Sequence, residues 1–109
     1  MKTLASLEDL DALLAERGKP VVLFKHSTRC PVSAMAEEEF RDLVRARPSD
    51  AVYGFLDLLA HRDVSDAVAR RLGVPHESPQ AIVLRDGRVS AVLNHDEIRA
   101  DALGRLLAP

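Results

Sequence analysis

Residues 81–84 (A-I-V-L), the pair Asp86-Gly87 and residues 89–93 (V-S-A-V-L) spell a β-hairpin. Asp-Gly adopts the positive-φ turn whose twist matches that of the strands it joins. An antiparallel pair late in the chain restricts the sheet it can join, and the preceding residues supply that sheet. Residues 21–24 (V-V-L-F), bounded by Pro20 and the polar His26-Ser27-Thr28, predict a strand buried on both faces, and residues 52–58 predict a second. Helical spacing accounts for the rest. Ser6 followed by Asp9 starts a helix over residues 6–17, with Leu7, Leu10, Leu13 and Leu14 on one side and Gly18 and Pro20 as the stop. Met35, Phe40, Leu43 and Val44 give a helix from Pro31 to near Pro48, residues 64–72 a third closed by Gly73, and Ile98, Leu103, Leu106 and Leu107 a last one over residues 96–107. Residues 1–4 add a candidate edge strand. Strands alternating with helices and ending in a hairpin predict an α/β fold, a central mixed sheet of four or five strands with helices on both faces.

Composition bounds the function. At 109 residues, 47% hydrophobic and 29% charged, the chain fits a single domain over residues 1–109. A net charge of -2 provides no basic field for a phosphate backbone, so nucleic acid is not an expected partner. Glu8, Asp9 and Asp11 interrupt the start of the chain and no apolar run approaches a bilayer's thickness, so neither secretion nor a membrane is expected and the cytoplasm is.

Chemistry concentrates at residues 26–35, H-S-T-R-C-P-V-S-A-M, which hold the one cysteine of the chain. Proline is favoured at the first position of a helix, so Pro31 there makes Cys30 the N-cap. In that position the sulfur is expected to face the free N–H groups of Val32 and Ser33, at the positive end of the helix dipole, with the Ser33 hydroxyl as a further donor. Lys25, His26 and Arg29 lie close in sequence and are sources of further positive charge, although strand alternation keeps them from all pointing at the sulfur. Helix N-termini and neighbouring cations favour thiolate over thiol. The plainer reading makes Cys30 a small buried hydrophobe. With one cysteine no internal disulfide is available, so the second sulfur of any exchange comes from outside the chain.

A second candidate is His76-Glu77-Ser78-Pro79-Gln80, at the mouth of the hairpin's first strand. A proline there is either an edge device or a cis turn. His26, His61, His76 and His95 show no metal-ligand spacing with each other or with Cys30, so no metal is assigned. Glu37-Glu38-Glu39 reads as a solvated helix face.

A helix-opening C-P-x-S after a buried strand, with a proline opening the later hairpin, resembles the thioredoxin fold. More specifically, F-K-H-S-T-R-C-P-V-S, H-R-D-V-S at 61–65 and H-E-S-P-Q followed by an apolar strand and D-G resemble the monothiol bacilliredoxins, whose hallmark is T-C-P-I-S. Arg29 stands where that hallmark has threonine and Val32 where it has isoleucine. The resemblance implies that the Cys30 thiolate attacks a protein–bacillithiol mixed disulfide and takes the bacillithiol onto itself; Ser33, which cannot act as a resolving cysteine, is expected to serve as a catalytic residue through the thiolate's cradle. It further implies that Thr28, Arg29 and Pro31 line the substrate groove, and that the main chain at Ser78, beside Pro79, pairs with the incoming disulfide. The added charge of Arg29 would deepen the depression of the thiol pKa, attract the malate carboxylates of bacillithiol, or point to a different preferred thiol. The partners implied are bacillithiolated proteins, then bacillithiol or a reductase that clears Cys30; no cofactor is required beyond bacillithiol as co-substrate.

Two other classes remain open at this level. Some monothiol thioredoxin-fold proteins hold an iron–sulfur cluster between subunits, although those glutaredoxins have glycine, not proline, after the cysteine. A thioredoxin-like binding module with an inert thiol is the other.

Overall fold

A computed structural model describes residues 1–108. The elements follow in the order β1 (Lys2–Thr3), α1 (Leu7–Leu14), β2 (Val21–His26), α2 (Pro31–Ala46), β3 (Val52–Asp57), α3 (Arg62–Leu72), β4 (Gln80–Arg85), β5 (Arg88–Asn94), a 3-10 turn (His95–Glu97) and α4 (Ala100–Leu106). The strands form one sheet in the order β1-β3-β2-β4-β5. β1 and β2 run parallel to β3, while β4 runs antiparallel to both β2 and β5. The expected mixed sheet is therefore present with five strands, including the edge strand from the first residues.

Strand alternation divides the core into two layers. Val21 and Leu23 face one side, packed with Leu10 and Leu13 of α1 and Val64 and Val68 of α3. Val22 and Phe24 face the other, with Phe40 and Leu43 of α2 and Leu103 of α4. Local chemistry explains the boundaries. Ser6 Oγ accepts from Asp9 N–H at 3.1 Å and caps α1. The hairpin turn places Asp86 at φ 51° and Gly87 at φ 80°, the left-handed pair that Asp-Gly tolerates. At Gly54 the sheet approaches α1 so closely that a Cβ would lie 2.6 Å from a Leu13 methyl.

Most boundaries shift by one or two residues, and three differences matter more. α1 ends at Leu14, not residue 17. The last helix is broken: Asn94 and Glu97 close a capping box around the 3-10 turn, Ile98 is extended and buried, and α4 starts at Ala100. Most consequentially, β2 continues through Lys25 and His26, which are buried instead of marking its polar end.

Candidate active site

β2 delivers the chain to residues 27–30, where it turns into α2. Cys30 N–H donates to Ser27 C=O at 3.3 Å, and Cys30 C=O accepts from Ser33 N–H at 3.0 Å and Ala34 N–H at 3.3 Å. Cys30 is thus the N-cap of α2 with Pro31 at its first turn, as the sequence predicts, and its thiol is free and partly exposed. Thr28, Arg29, Pro31 and Val32 are exposed around it. β2 and β4 are neighbours with Lys25 opposite Gln80, so the chain leaving β2 toward Cys30 and the chain entering β4 from Ser78-Pro79 lie at the same end of the sheet. The Ser78–Pro79 peptide is cis and Pro79 is buried. The Ser78 hydroxyl oxygen is buried without a hydrogen-bond partner. A groove of about 380 Å³ opens beside the start of α2, floored by Val32, Met35, Ala36 and Ile98 and edged by His95 and Arg99. Met35 is 70% exposed there.

The expected cradle of the thiol needs correction. The Cys30 side chain accepts no capping hydrogen bond from α2. Ser33 is fully buried, and its Oγ accepts from Ser27 N–H at 2.9 Å and lies 2.8 Å from His26 Nδ1. The same hydroxyl pairs with Nδ1 on one side of the imidazole, and Nε2 on the other side faces Glu37 Oε1 at 3.5 Å. Glu37 is held in turn by Arg41 at 2.8 Å, whose guanidinium lies over the Phe55 ring. Ser33, His26 and Glu37 mimic the order nucleophile, base, carboxylate. With Ser33 fully buried, however, no substrate carbonyl reaches Oγ, and the network instead ties residues 27–30 to the first turn of α2. Glu37 and Glu39 also leave the expected solvated face, since Glu39 accepts from Ala100 N–H at the start of α4. Ser33→Ala removes the acceptor of a buried N–H, so we expect a loss of about 1–3 kcal/mol in urea denaturation. An unchanged midpoint would refute the anchoring role.

Lys25 does not address the thiol either. Its side chain is fully buried, with Nζ 2.8 Å from His76 Nδ1 and 3.3 Å from Gln80 Oε1. Burial pushes its pKa down from 10.5 to about 8, against the attraction of Asp66 and Glu77. Burial and the Lys25 charge also push His76 down, which keeps its Nδ1 available as an acceptor. The unfolded chain holds the Lys25 proton up to 10.5, so between about pH 8 and 10.5 the unfolded state binds more protons and stability rises with pH. Below that window the cost of the buried charge is fully present, at most about 3 kcal/mol. Tyr53, raised by burial, acts in the opposite sense only above 10.0. Denaturation midpoints of the wild type relative to Lys25→Met should therefore climb between pH 8 and 10; parallel curves would contradict the shift.

Sequence reasoning missed Lys25, Gln80 and Asn94 as one connected group, and Glu37 as a partner of His26. Strand alternation carried two residues past Phe24 is the signal that places Lys25 and His26 on opposite faces. Among the described residues, no group of three or more His, Cys, Asp or Glu side chains is arranged to hold a metal, and no helix is long and apolar enough to cross a membrane.

Comparison with known proteins agrees with this geometry. A candidate oxidoreductase with a thioredoxin fold is similar at 32% identity and a TM-score of 0.86, over 95% of this chain and 90% of that one. Thioredoxin from Fasciola hepatica (18% identity, TM-score 0.78, 98% and 96% covered) and mitochondrial thioredoxin 3 from Saccharomyces cerevisiae (20%, 0.73, 98% and 92%) share the fold. The fold is thus thioredoxin-like, and together with the family match it supports a thiol oxidoreductase. The family model described as "Monothiol bacilliredoxin BrxC" matches residues 2–103, and the chain belongs to the monothiol bacilliredoxin family.

Proposed function

We propose that this protein removes bacillithiol from protein mixed disulfides by monothiol exchange at Cys30. The observation that carries the reading is the placement of a single, partly exposed thiol at the N-cap of α2, at the sheet end shared with Ser78–Pro79, in a chain with no second sulfhydryl. In the first step the Cys30 thiolate attacks the bacillithiol sulfur. The protein–S–S–bacillithiol bond breaks, a Cys30–S–S–bacillithiol bond forms, and the target cysteine leaves as thiolate and takes a proton from water. In the second, the thiolate of another bacillithiol or of a reductase attacks the adduct and returns Cys30 to its reduced form. Each step exchanges one disulfide for another.

The surroundings have assignable tasks in this cycle. The main chain at Ser78 pairs with the substrate backbone, and the unpartnered Ser78 hydroxyl gains a partner when substrate binds. Exposed Arg29 supplies a guanidinium for the malate carboxylates, while Thr28 and Pro31 form the near wall. Exposed Val32 and Met35 offer apolar surface to the target protein. The partners are bacillithiolated proteins and the thiol that clears Cys30, with bacillithiol as co-substrate and no further cofactor.

Intact-mass analysis tests the assignment. Mixed with a bacillithiolated protein, the enzyme should gain one bacillithiol on Cys30 as reduced target appears, with a preference over the glutathionylated target on the order of tenfold or more. Equal transfer of glutathione would remove bacillithiol from the reading while keeping the exchange chemistry.

A further inference from the structure

Lys25 is fully buried and plays no part in the exchange chemistry, yet it joins two polar side chains behind the site. Its ammonium donates to His76 and to Gln80. Gln80 Nε2 donates to Pro75 C=O and to Asn94 Oδ1, both at 3.0 Å. Asn94 caps the 3-10 turn, and His95 N–H from that turn donates to Pro79 C=O at 2.9 Å. One cation therefore grips the segment at both ends, His76 on one side and Gln80 on the other, with Ser78 and Pro79 between them, and Gln80 ties back to Pro75. Both of its acceptors are neutral, so it is held at a desolvation cost that an apolar side chain of similar volume would not incur. A group retained at that cost is explained by what it orders.

We propose that Lys25 is a positioning residue for the substrate-receiving loop: through His76 and Gln80 it fixes the main chain at Ser78 where a target disulfide is aligned with Cys30. The inference rests on the reading that this main chain receives the substrate. Asp66 of α3 and Glu77 of the loop are the acidic groups that face Lys25, and neither replaces its neutral acceptors.

Three variants test it. Lys25→Met and His76→Leu remove donor and acceptor, whereas His76→Asn puts an amide oxygen where the imidazole Nδ1 lies. In the first two, KM for a mixed-disulfide protein should rise on the order of tenfold with a smaller change in kcat, while alkylation of Cys30 by iodoacetamide, which needs no loop, keeps its rate. The Glu77 and Ser78 amide resonances should shift and broaden in the same two variants. His76→Asn should restore both KM and resonances. Wild-type KM with sharp, unshifted resonances in Lys25→Met and His76→Leu would overturn the proposal, as would a His76→Asn variant that fails like His76→Leu. If the wild type shows no exchange at all, the thiol reading falls, and the amide resonances alone still decide whether Lys25 holds the loop.

Discussion

Cys30→Ser is expected to lose transfer of bacillithiol completely, with target release slower by at least about a thousandfold and no adduct in the mass spectrum. A serine hydroxyl is not ionised at neutral pH, and oxygen attack on a disulfide yields no stable disulfide product, so the substitution removes the nucleophile while keeping the shape of the N-cap. Serine is also a good N-cap, so the fold should persist and the thermal midpoint should hold or rise. The informative contrast is Ser33→Ala. Because the Ser33 oxygen serves Ser27 and His26 and not the sulfur, that variant should be less stable yet still form the adduct at Cys30 within about tenfold of the wild-type rate. Reduced target appearing at the wild-type rate with Cys30→Ser would end the proposed mechanism. Ser33→Ala as inert as Cys30→Ser would reinstate the hydroxyl as part of the chemistry.

The second large effect lies one strand residue behind the site. Phe24→Ala should destabilise the fold by about 3–5 kcal/mol, a large share of the roughly 5–15 kcal/mol that holds a domain of this size together. Phe24 is fully buried, stacked on Phe40 of α2 at 5.0 Å between centroids, with Phe55 at 5.8 Å and the His26 ring at 6.0 Å. The ring pairs add about 0.5–1.5 kcal/mol each to the area they bury. Removing the ring opens a cavity where β2, α2 and β3 meet, the joint that holds the Cys30 turn, so exchange should fall at temperatures where the wild type is fully folded. Phe24→Leu, which retains most of the volume, should cost less than half as much. A shift below about 1 kcal/mol in Phe24→Ala would mean that the four-ring cluster does not carry the joint.

The architecture was legible because each element carries its own period and its own stop. Leu10 and Leu13 are spaced for a helix, residues 21–24 are apolar without interruption, and Asp86-Gly87 leaves no other economical turn. The N-cap position of Cys30 followed from Pro31 alone. What escaped the sequence depends on partners far along the chain. Lys25 and His26 look like solvent-facing residues until His76 and Gln80, 51 and 55 positions later, and Ser33, seven later, are brought beside them. The Ser33 hydroxyl illustrates the same point at short range. Helix geometry places it at the first turn, but two acceptors or donors compete for it, and the buried N–H of Ser27 wins because leaving it unpaired costs more than leaving the sulfur without a neighbour. The break before α4 had a local signal, the Asn94–Glu97 capping pair, masked by the apolar stripe that begins at Ile98.

The Ser33 oxygen also bears on descent. A single serine-to-cysteine replacement would create a C-P-x-C dithiol, a short mutational distance from the present chain. Sulfur, however, is a weak acceptor, and in this molecule it would inherit an obligation to a main-chain N–H and an imidazole that oxygen now meets. Acquiring an internal resolving thiol would therefore require compensating changes at positions 26 and 27 before it became useful. Under the proposed cycle, then, the anchoring of this loop makes a second sulfur drawn from outside the chain structurally cheaper than one built at position 33.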